Sequence, residues 1–284
     1  MGTDTIAFLP MAQPRLMFFM SKRRVLSIAL SVAGSDSGGG AGVQADLKTF
    51  AALGVHGVSA ITCVTAQNPR GVRGIQAVSP IMLQKQIEAV FEELTPGACK
   101  TGMLFSSTLI GVMTGFFRAR RGPPLVVDPV MIATSGAKLL QPAAVKRIQL
   151  ELLPLAALVT PNRDEAELLT GLRVRDEEGL RRAARELNNR FGCAALVKGG
   201  HLRGAREAVD IFFDGRTELM LCAPFVRGVS THGTGCTYSA AITARLALGD
   251  TLIEAVKAAK EFITQAIAQS FRAGGHDVLN PFWR

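Results

Sequence analysis

The sequence is poor in aromatic side chains that could stack on bases, with one tryptophan and one tyrosine among its 284 residues. Lysine and arginine total 32 against 23 acidic residues, which gives a formal net charge of +9, but the basic residues are dispersed along the chain. Without an aromatic platform this charge does not indicate nucleic-acid binding. A basic surface that attracts anionic small molecules is the interpretation we prefer.

The chain also lacks the patterns of a disulfide framework, a metal cluster or a membrane span. Its five cysteines are odd in number and widely scattered, with no C-x-x-C spacing, which fits a reducing cytoplasm. No apolar run approaches the roughly 18 residues of a spanning helix. Residues 1–22 lack the basic start of a signal peptide, so we expect them to form a disordered extension, with Met20 as a candidate start. Residues 23–284 are predicted to form one domain.

Two common nucleotide-binding motifs are missing. The sequence contains no Gly-Lys dipeptide, which excludes a Walker A loop. The glycine-rich segment 34–42 does not complete a dinucleotide fingerprint, because Val43 stands where the third glycine would be. The acid that would bind a ribose is also missing, since no Asp or Glu lies between Asp46 and Glu88. An NAD-dependent oxidoreductase is therefore a weak alternative.

What the sequence does have is a regular alternation of short apolar runs and longer helical patterns. Apolar strands without alternation are buried on both faces, which predicts an α/β three-layer sandwich with a mostly parallel central sheet and helices on both faces. The predicted strands are 25–33, 57–66, 98–102, 125–128, 156–160 and 194–198. The predicted helices are 43–53, 80–94, 106–120, 142–151, 163–170, 176–190, 236–247 and 251–272, and a hairpin is predicted over 208–222.

The segment Thr231-His232-Gly233-Thr234-Gly235-Cys236 is a glycine-rich turn that leads into a helix. The first amides of a helix lack internal partners, so such a turn is a ready-made anion site. The helix start is also expected to lower the pKa of the Cys236 thiol. A phosphate pocket and a candidate proton acceptor thus fall within three residues of each other, which suggests phosphoryl transfer.

Two polar residues near the first strands are candidates for binding a substrate. Gln67 follows the second strand, where an amide could pair with an aminopyrimidine edge, although an ordinary polar loop is slightly favoured. Asp46, one turn past Gly42, could accept a hydrogen bond from a substrate hydroxyl or merely compensate the helix dipole. The loop histidines His201 and His232 are interpreted as solvated.

Charged residues end the later strands. Asp128 could hold a magnesium ion directly or through water, or simply start a turn before Pro129. Asn162 and Glu165 have the spacing of a helix capping box, which competes with a role for Glu165 in holding Mg²⁺ through water. The Lys198 ammonium could neutralise transferring phosphate oxygens.

Together these segments resemble the ribokinase superfamily, and within it the hydroxymethylpyrimidine/phosphomethylpyrimidine kinases of thiamine biosynthesis. Seven motifs carry the resemblance, in family order and at family-like spacing. They are AGSDSGGGAGVQADLKT (33–49), TAQN (65–68), KTGML (100–104), DPVM (128–131), TPNxxEA (160–166), VKGGH (197–201) and THGTGCT (231–237).

The resemblance implies transfer of the ATP γ-phosphate to an aminopyrimidine alcohol and then to its monophosphate, with Mg²⁺ and a homodimeric assembly. Each implied role rests on position within the matching motifs. Substrate binding is implied for Gln67, Gly34, Asp46, Met103 and Val130, nucleotide binding for Asn162, Glu165, Lys198, Thr231 and Thr234, metal binding for Glu165 and Asp128, and catalysis for Cys236, Lys198, Gly233 and Gly235. Ser37 stands where the family usually has proline, which is expected to loosen the first loop.

Two other functions stay open at this point. Related chains phosphorylate the hydroxymethyl group of a pyridine, so a pyridoxal kinase is one alternative. The other is a pyrimidine-binding protein that no longer transfers phosphate, against which Lys198, Glu165 and Cys236 argue.

Overall fold

A computed structural model of the chain describes residues 25–120, 122–131, 140, 142–200, 202, 207–226, 228–229 and 232–283. The predicted extension, residues 1–22, lies outside this part. Among the described residues, none of the helices combines the length and the hydropathy that crossing a lipid bilayer would require.

The centre of the molecule is a nine-stranded sheet in the order β3-β2-β1-β4-β5-β6-β7-β8-β9. Its strands are β1 (Ile28–Asp36), β2 (His56–Asn68), β3 (Gly71–Ala77), β4 (Ala98–Thr101), β5 (Leu125–Val127), β6 (Leu158–Val159), β7 (Ala194–Lys198), β8 (Glu207–Phe213) and β9 (Glu218–Pro224). In the order of the sheet, the six neighbouring strands β2, β1, β4, β5, β6 and β7 pair in parallel. Strands β3, β8 and β9 pair antiparallel with their neighbours. The predicted mostly parallel sheet is confirmed.

Helices cover both faces of the sheet, as the three-layer prediction requires. They are α1 (Gly42–Ala52), α2 (Pro80–Glu93), α3 (Ser107–Ala119), α4 (Pro142–Arg147), α5 (Arg163–Thr170), α6 (Glu177–Phe191), α7 (Thr234–Ala247) and α8 (Leu252–Ala268). One apolar core joins α2, α3, α5 and α6 to one face, and α7 and α8 pack on the other face around Tyr238 and Phe262.

Local chemistry explains several helix boundaries. The Ser79 hydroxyl accepts a hydrogen bond from the Met82 amide, and Pro80 occupies the first turn of α2. Asn162 and Glu165 form the predicted capping box at the start of α5. Gly54, with a φ of 73°, follows Leu53, the C-cap residue of α1.

The hairpin predicted over 208–222 is confirmed by β8 and β9, but the prediction was wrong at the β3 edge of the sheet and near the C-terminus. Strand β3 was missed, because its largely exposed residues and two glycines have the composition of a loop. Helix α8 ends at Ala268 rather than continuing to 272, and a small hairpin follows, formed by β10 (Phe271–Ala273) and β11 (His276–Val278). The predicted helix 142–151 is α4 followed by a π-helical turn over Ile148–Leu152.

Candidate active site

A cavity of about 880 Å³ lies at the carboxyl ends of the parallel strands and extends from the β2–β3 hairpin to α8. It brings together most of the site residues that the motifs predict. Those on its wall are Gly34, Gln67, Met103, Asp128, Val130, Asn162, Glu165, Lys198, Gly233, Thr234, Gly235 and Cys236. Thr231 and His201 lie outside the described residues.

The anion turn is formed by Gly233 and the first turn of α7. Gly233 is the N-cap residue with a φ of 81°, and a methyl group at this position would overlap the carbonyl oxygen of Gly40. Glycine is therefore required here, both for the left-handed backbone and for the close approach of the two loops. Since glycine has no side chain, the cap residue offers no side-chain acceptor to the first amides of α7, and the residues from Gly233 to Cys236 line the cavity.

Lys198 lies directly beside this helix start. A methyl group at Gly235 would sit 3.3 Å from Lys198 Nζ, so the ammonium packs against the bare backbone of α7. The same Nζ lies 3.3 Å from Asp128 Oδ1. Burial alone would lower the pKa of Lys198, but Asp128 and Glu165 outweigh it, so the pKa is raised and the side chain stays charged. A fixed cation thus stands next to the anion turn.

Asp128 is held by three side chains. Its Oδ1 accepts hydrogen bonds from Lys198 Nζ and, at 3.4 Å, from Thr160 Oγ1, and its Oδ2 accepts one from Ser239 Oγ at 3.2 Å. The residue is only 3% exposed, but it reaches the cavity wall. The carboxylate is therefore more than the turn-starting Asp of the simpler interpretation.

Glu165 forms the predicted capping box, and it also reaches the wall of the cavity. Its Oε2 accepts the Asn162 amide at 2.9 Å as the capping box requires, and its Oε1 accepts the Met131 amide at 3.3 Å. Burial and the nearby Asp128 carboxylate raise the pKa of Glu165 to about 7, against the lowering effect of Lys198. Two buried carboxylates that face one cavity are suitable ligands for a hard cation such as Mg²⁺.

Cys236 lies in the first turn of α7, with part of its surface open to the cavity. The expectation that the helix start lowers its pKa is wrong for this structure. Burial raises the pKa of the thiol to about 12, and the lowering effects of Lys100 and of the Gly42 amide do not compensate. The thiol is therefore the major form at neutral pH in the absence of ligands.

Asp46 is the one substrate-binding candidate among the described residues that the structure does not bring to the cavity wall. Its side chain is completely buried, with Oδ1 at 2.6 Å from Lys100 Nζ and Oδ2 at 2.6 Å from Ser31 Oγ. Its carboxylate is thus fully used within the protein, so neither a substrate contact nor simple dipole compensation describes it. The Lys100 ammonium also reaches the backbone oxygen of Cys236 at 3.5 Å.

Gln67, near the end of β2, is held at the cavity wall by the loop that follows β1. The Ser37 hydroxyl accepts a hydrogen bond from the Gln67 amide at 2.8 Å and donates one to the Gln67 carbonyl at 2.7 Å. In this structure Ser37 therefore ties the first loop to β2, contrary to the loosening that was expected. The Gln67 side-chain nitrogen lies 3.5 Å from His232 Nε2.

The sequence interpretation missed several charged groups of the site. His232, interpreted as solvated, lies 3.5 Å from Asp36 Oδ2, and the Asp36 carboxylate in turn accepts the amides of Gly38, Gly40 and Ala41. Lys100 belongs to a matching motif but has no assigned role in it, and a lysine inside an apolar strand was the available signal. On the part of the cavity wall formed by β8 and α8, Lys260 Nζ lies 2.7 Å from Asp210 Oδ2. The two residues are far apart in the sequence, so no motif predicts this pair.

Comparison with known proteins shows which family has these features. The model of the family described as phosphomethylpyrimidine kinase matches residues 36–280. A hydroxymethylpyrimidine/phosphomethylpyrimidine kinase of Rhizobium meliloti (strain 1021) is 52% identical over 247 residues, which cover 87% of this chain and 92% of the relative.

Solved structures show the same fold. The phosphomethylpyrimidine kinase from Clostridium difficile 630 has a TM-score of 0.76 and 42% identity, covering 84% of this chain and 99% of its own. An ADP complex of Bacillus subtilis pyridoxal kinase has a TM-score of 0.84 and 34% identity, covering 90% of this chain and 97% of its own. From the matched family model and the identity to its members, the chain belongs to the phosphomethylpyrimidine kinase family.

Proposed function

We propose that this protein is an ATP-dependent kinase that phosphorylates 4-amino-5-hydroxymethyl-2-methylpyrimidine, and then its monophosphate to the diphosphate, for thiamine biosynthesis. The observation that carries the proposal is one cavity whose wall holds the Gln67 amide, a glycine-capped helix start and the partly buried Lys198 beside that helix start. The relatives named as hydroxymethylpyrimidine/phosphomethylpyrimidine kinases support the choice of substrate.

The acceptor end of the cavity would hold the pyrimidine. The Gln67 amide can donate one hydrogen bond to a ring nitrogen and accept one from the exocyclic amine. Gly34, Met103 and Val130 line the wall beside it and would contact the ring and its methyl group. Ser37 and His232 would keep the Gln67 backbone and amide in place.

The donor end would hold the nucleotide. Lys198, Thr234 and the first amides of α7 would bind the phosphates, and Asn162 and Glu165 would border them. Asp128 and Glu165 would hold Mg²⁺ through water or phosphate oxygens, and the ion would neutralise charge on the transferring group. The wall near α8 is apolar around Phe225, Ile263 and Ile267, and it would take the base of ATP, as the ADP complex of a pyridoxal kinase suggests.

The chemical step would be an in-line displacement. The hydroxymethyl oxygen attacks the γ-phosphorus, the bond from that phosphorus to the bridging oxygen breaks, and ADP leaves with the bond electrons. The hydroxyl proton passes to the Cys236 thiolate, while Lys198 and the amides of the anion turn stabilise the equatorial oxygens. Because the thiolate is the minor form of Cys236, the rate of this first transfer is expected to rise with pH above neutrality.

The second phosphorylation has a different proton requirement. The attacking oxygen belongs to a phosphate monoester, whose second pKa is about 6, so at pH 8 it carries no proton. A base is then unnecessary, although the pocket must accommodate two more negative charges. Cys236 should therefore matter more for the first transfer than for the second.

The test is an ATP-coupled assay of wild type and Cys236→Ala, with mass analysis of the monophosphate and diphosphate. We expect a folded variant whose kcat for the pyrimidine alcohol falls by at least about 10²-fold, with a smaller loss for the monophosphate. Cys222→Ala, which removes an exposed cysteine on β9, is the matched control and should keep full activity. Wild-type kcat in Cys236→Ala would defeat the assignment of the base, and pyrimidine binding without ATP consumption would support a silent binding protein.

Pyridoxal phosphorylation is the second candidate, favoured by the similarity to the Bacillus subtilis enzyme named pyridoxal kinase. Both substrates present a hydroxymethyl group on an aromatic ring. The amide of Gln67 favours an aminopyrimidine, because a pyridoxal ring lacks the exocyclic amine that the amide oxygen would accept from. A comparison of kcat/KM for the two alcohols decides, and a preference for pyridoxal would overturn the choice of substrate.

We further propose that residues 23–284 form one kinase domain and act as a homodimer in the cytoplasm. The family model spans residues 36–280, and all five cysteines are free thiols in the structure, which suits a reducing compartment. Edge strand β3 and its neighbour β2 expose Val64, Val72 and Ile75, an apolar edge that a second copy would cover. Sedimentation of wild type and Val72→Lys tests the assembly, and a monomeric wild type would contradict it.

A further inference from the structure

Three charged or polar side chains lie directly beneath the proposed base and have no role in the chemistry described so far. Ser31 of β1, Asp46 of α1 and Lys100 of β4 each have no exposed surface. The Asp46 carboxylate accepts a hydrogen bond from Ser31 Oγ on one oxygen and from Lys100 Nζ on the other, both at 2.6 Å. We call these three residues the buried triad.

The buried triad is a poor device for stability alone. Removing two charges from water is costly, and well-packed apolar residues of similar volume often serve the fold equally well. The triad is nevertheless placed where three elements meet beneath the cavity, and Lys100 continues past Asp46 to the backbone oxygen of Cys236 at 3.5 Å. Its position against the first turn of α7 therefore suggests a role in the site.

We propose that Lys100, held in place by Asp46 and Ser31, is a positioning residue for the Cys236 thiol and the first turn of α7. Lys100 does not line the cavity, so it acts on substrates only through Cys236. The proposal rests on the function given above for Cys236, but it concerns a property of the thiol that can be measured without substrates.

The charges around Cys236 make this role asymmetric. Lys100 favours the thiolate, whereas Asp46 and Asp128, from the other elements packed against it, oppose the thiolate, and Lys198 adds a second cation. Among the charged neighbours, Lys100 has the largest effect on the pKa of Cys236, and it lowers that pKa against the effect of burial. Asp46 orients the lysine but weakens its effect.

Opposite predictions follow for the two charged members. A cation within about 4–6 Å shifts a pKa by about 1–3 units, and one unit changes the thiolate fraction tenfold. Lys100 affects the pKa of Cys236 more than Asp46 does, so the neutral pair Lys100→Met with Asp46→Asn should raise that pKa by the difference and slow alkylation of Cys236 several-fold. Asp46→Asn alone should accelerate it, because the lysine is then less neutralised.

The experiment measures the rate of iodoacetamide modification of Cys236 at pH 8.5 by peptide mass analysis, in the full-length protein without ligands. Modification of the exposed Cys222 in the same sample is the internal reference. We expect a Cys236 to Cys222 rate ratio several-fold lower in the neutral pair and higher in Asp46→Asn. The neutral pair leaves no uncompensated buried charge, so it keeps the test available if Lys100→Met alone does not fold.

A merely structural triad gives a different result. Loosening of α7 would expose the thiol and raise the ratio in both variants, and that outcome, or an unchanged ratio in the neutral pair, overturns the proposal. The second measurement is kinetic, and the neutral pair should lower kcat for the pyrimidine alcohol with little change in its KM. If no kinase activity is found in wild type, the proposed function fails while the alkylation result still decides the role of Lys100.

Discussion

The sharpest test of the donor end of the cavity is Glu165→Gln. Glutamine keeps the shape of the side chain and can still serve in a capping box with Asn162. It removes the negative charge that Glu165 carries when ionised. That charge is buried beside Asp128, and burial and Asp128 together raise the pKa of Glu165 to about 7. The substitution therefore separates the two roles of the residue, because the cap survives and the charge does not.

The structure gives the sign and the size of the effect. Between its ordinary pKa of 4.5 and about 7, the carboxyl group is ionised in the unfolded chain and protonated in the folded one. Stability from this group is complete below pH 4.5 and is lost as the pH rises toward 7. The difference of about 2.5 units corresponds to about 3 kcal/mol at 1.36 kcal/mol per unit.

The assay is urea unfolding of both proteins without ligands from pH 4.5 to pH 8. The glutamine amide has one acceptor oxygen, so the Met131 amide loses its acceptor and the variant carries a loss of about 1–3 kcal/mol that does not depend on pH. Between pH 4.5 and pH 8 we expect the free energy of unfolding of Glu165→Gln to gain about 3 kcal/mol on that of wild type. The matched control is Glu254→Gln, in the exposed capping box of α8, where hydrogen bonds from Thr251 lower the pKa of the carboxyl group and the sign is reversed. Parallel pH profiles for wild type and Glu165→Gln would refute the reasoning.

Three further substitutions test other parts of the site. Gly233→Ala should lower the free energy of unfolding by more than about 1 kcal/mol, because of its left-handed φ and the overlap with Gly40, and kcat should fall with it; denaturant titration and steady-state kinetics measure both. Lys198→Met should reduce kcat/KM by about 10²–10³-fold with an unchanged circular dichroism spectrum, and a smaller loss would remove Lys198 from charge stabilisation. Ser37→Ala should raise the KM for the pyrimidine several-fold with kcat retained, since both bonds to the Gln67 backbone are lost; an unchanged KM contradicts the tether.

The interior of the fold could be predicted because burial on both faces leaves a simple pattern. Parallel strands such as β5 and β7 are short, almost continuous apolar runs, and helices such as α2 and α5 begin at the recognisable caps Ser79 and Asn162. Strand β3 escaped prediction because an edge strand with five exposed residues in succession has no apolar face to reveal it. Its existence depends on pairing with β2 across a two-residue turn.

The cavity wall was predictable from strand ends, but the protonation states of its residues were not. The motifs located Lys198, Glu165 and Cys236, because the carboxyl ends of parallel strands and the adjoining loops meet at one edge of the sheet. The direction of the pKa of Cys236 was predicted wrongly, since the helix start is visible in the sequence whereas the burial that outweighs it is not. The pairing of Asp46 with Lys100 joins residues 54 positions apart, and only the fold could reveal it.

Ser239 lies between two charged pairs, Asp128 with Lys198 and Asp46 with Lys100. Its removal should show whether its hydroxyl is coupled to Asp128. Its single hydroxyl proton faces three acceptors, Asp128 Oδ2 at 3.2 Å, the Gly235 oxygen at 2.9 Å and the Cys236 oxygen at 3.1 Å. The Cys236 oxygen also accepts a hydrogen bond from Lys100, which is paired with Asp46. Loss of the Ser239 hydroxyl should therefore affect both Asp128 and Asp46. A double-mutant cycle of Ser239→Ala with Asp128→Asn, read by urea unfolding, should give a coupling energy of about 0.5–3 kcal/mol, while the cycle with the distant Glu254→Gln should give a value near zero. Equal values in the two cycles would mean that the hydroxyl is not coupled to Asp128 and serves only its own helix.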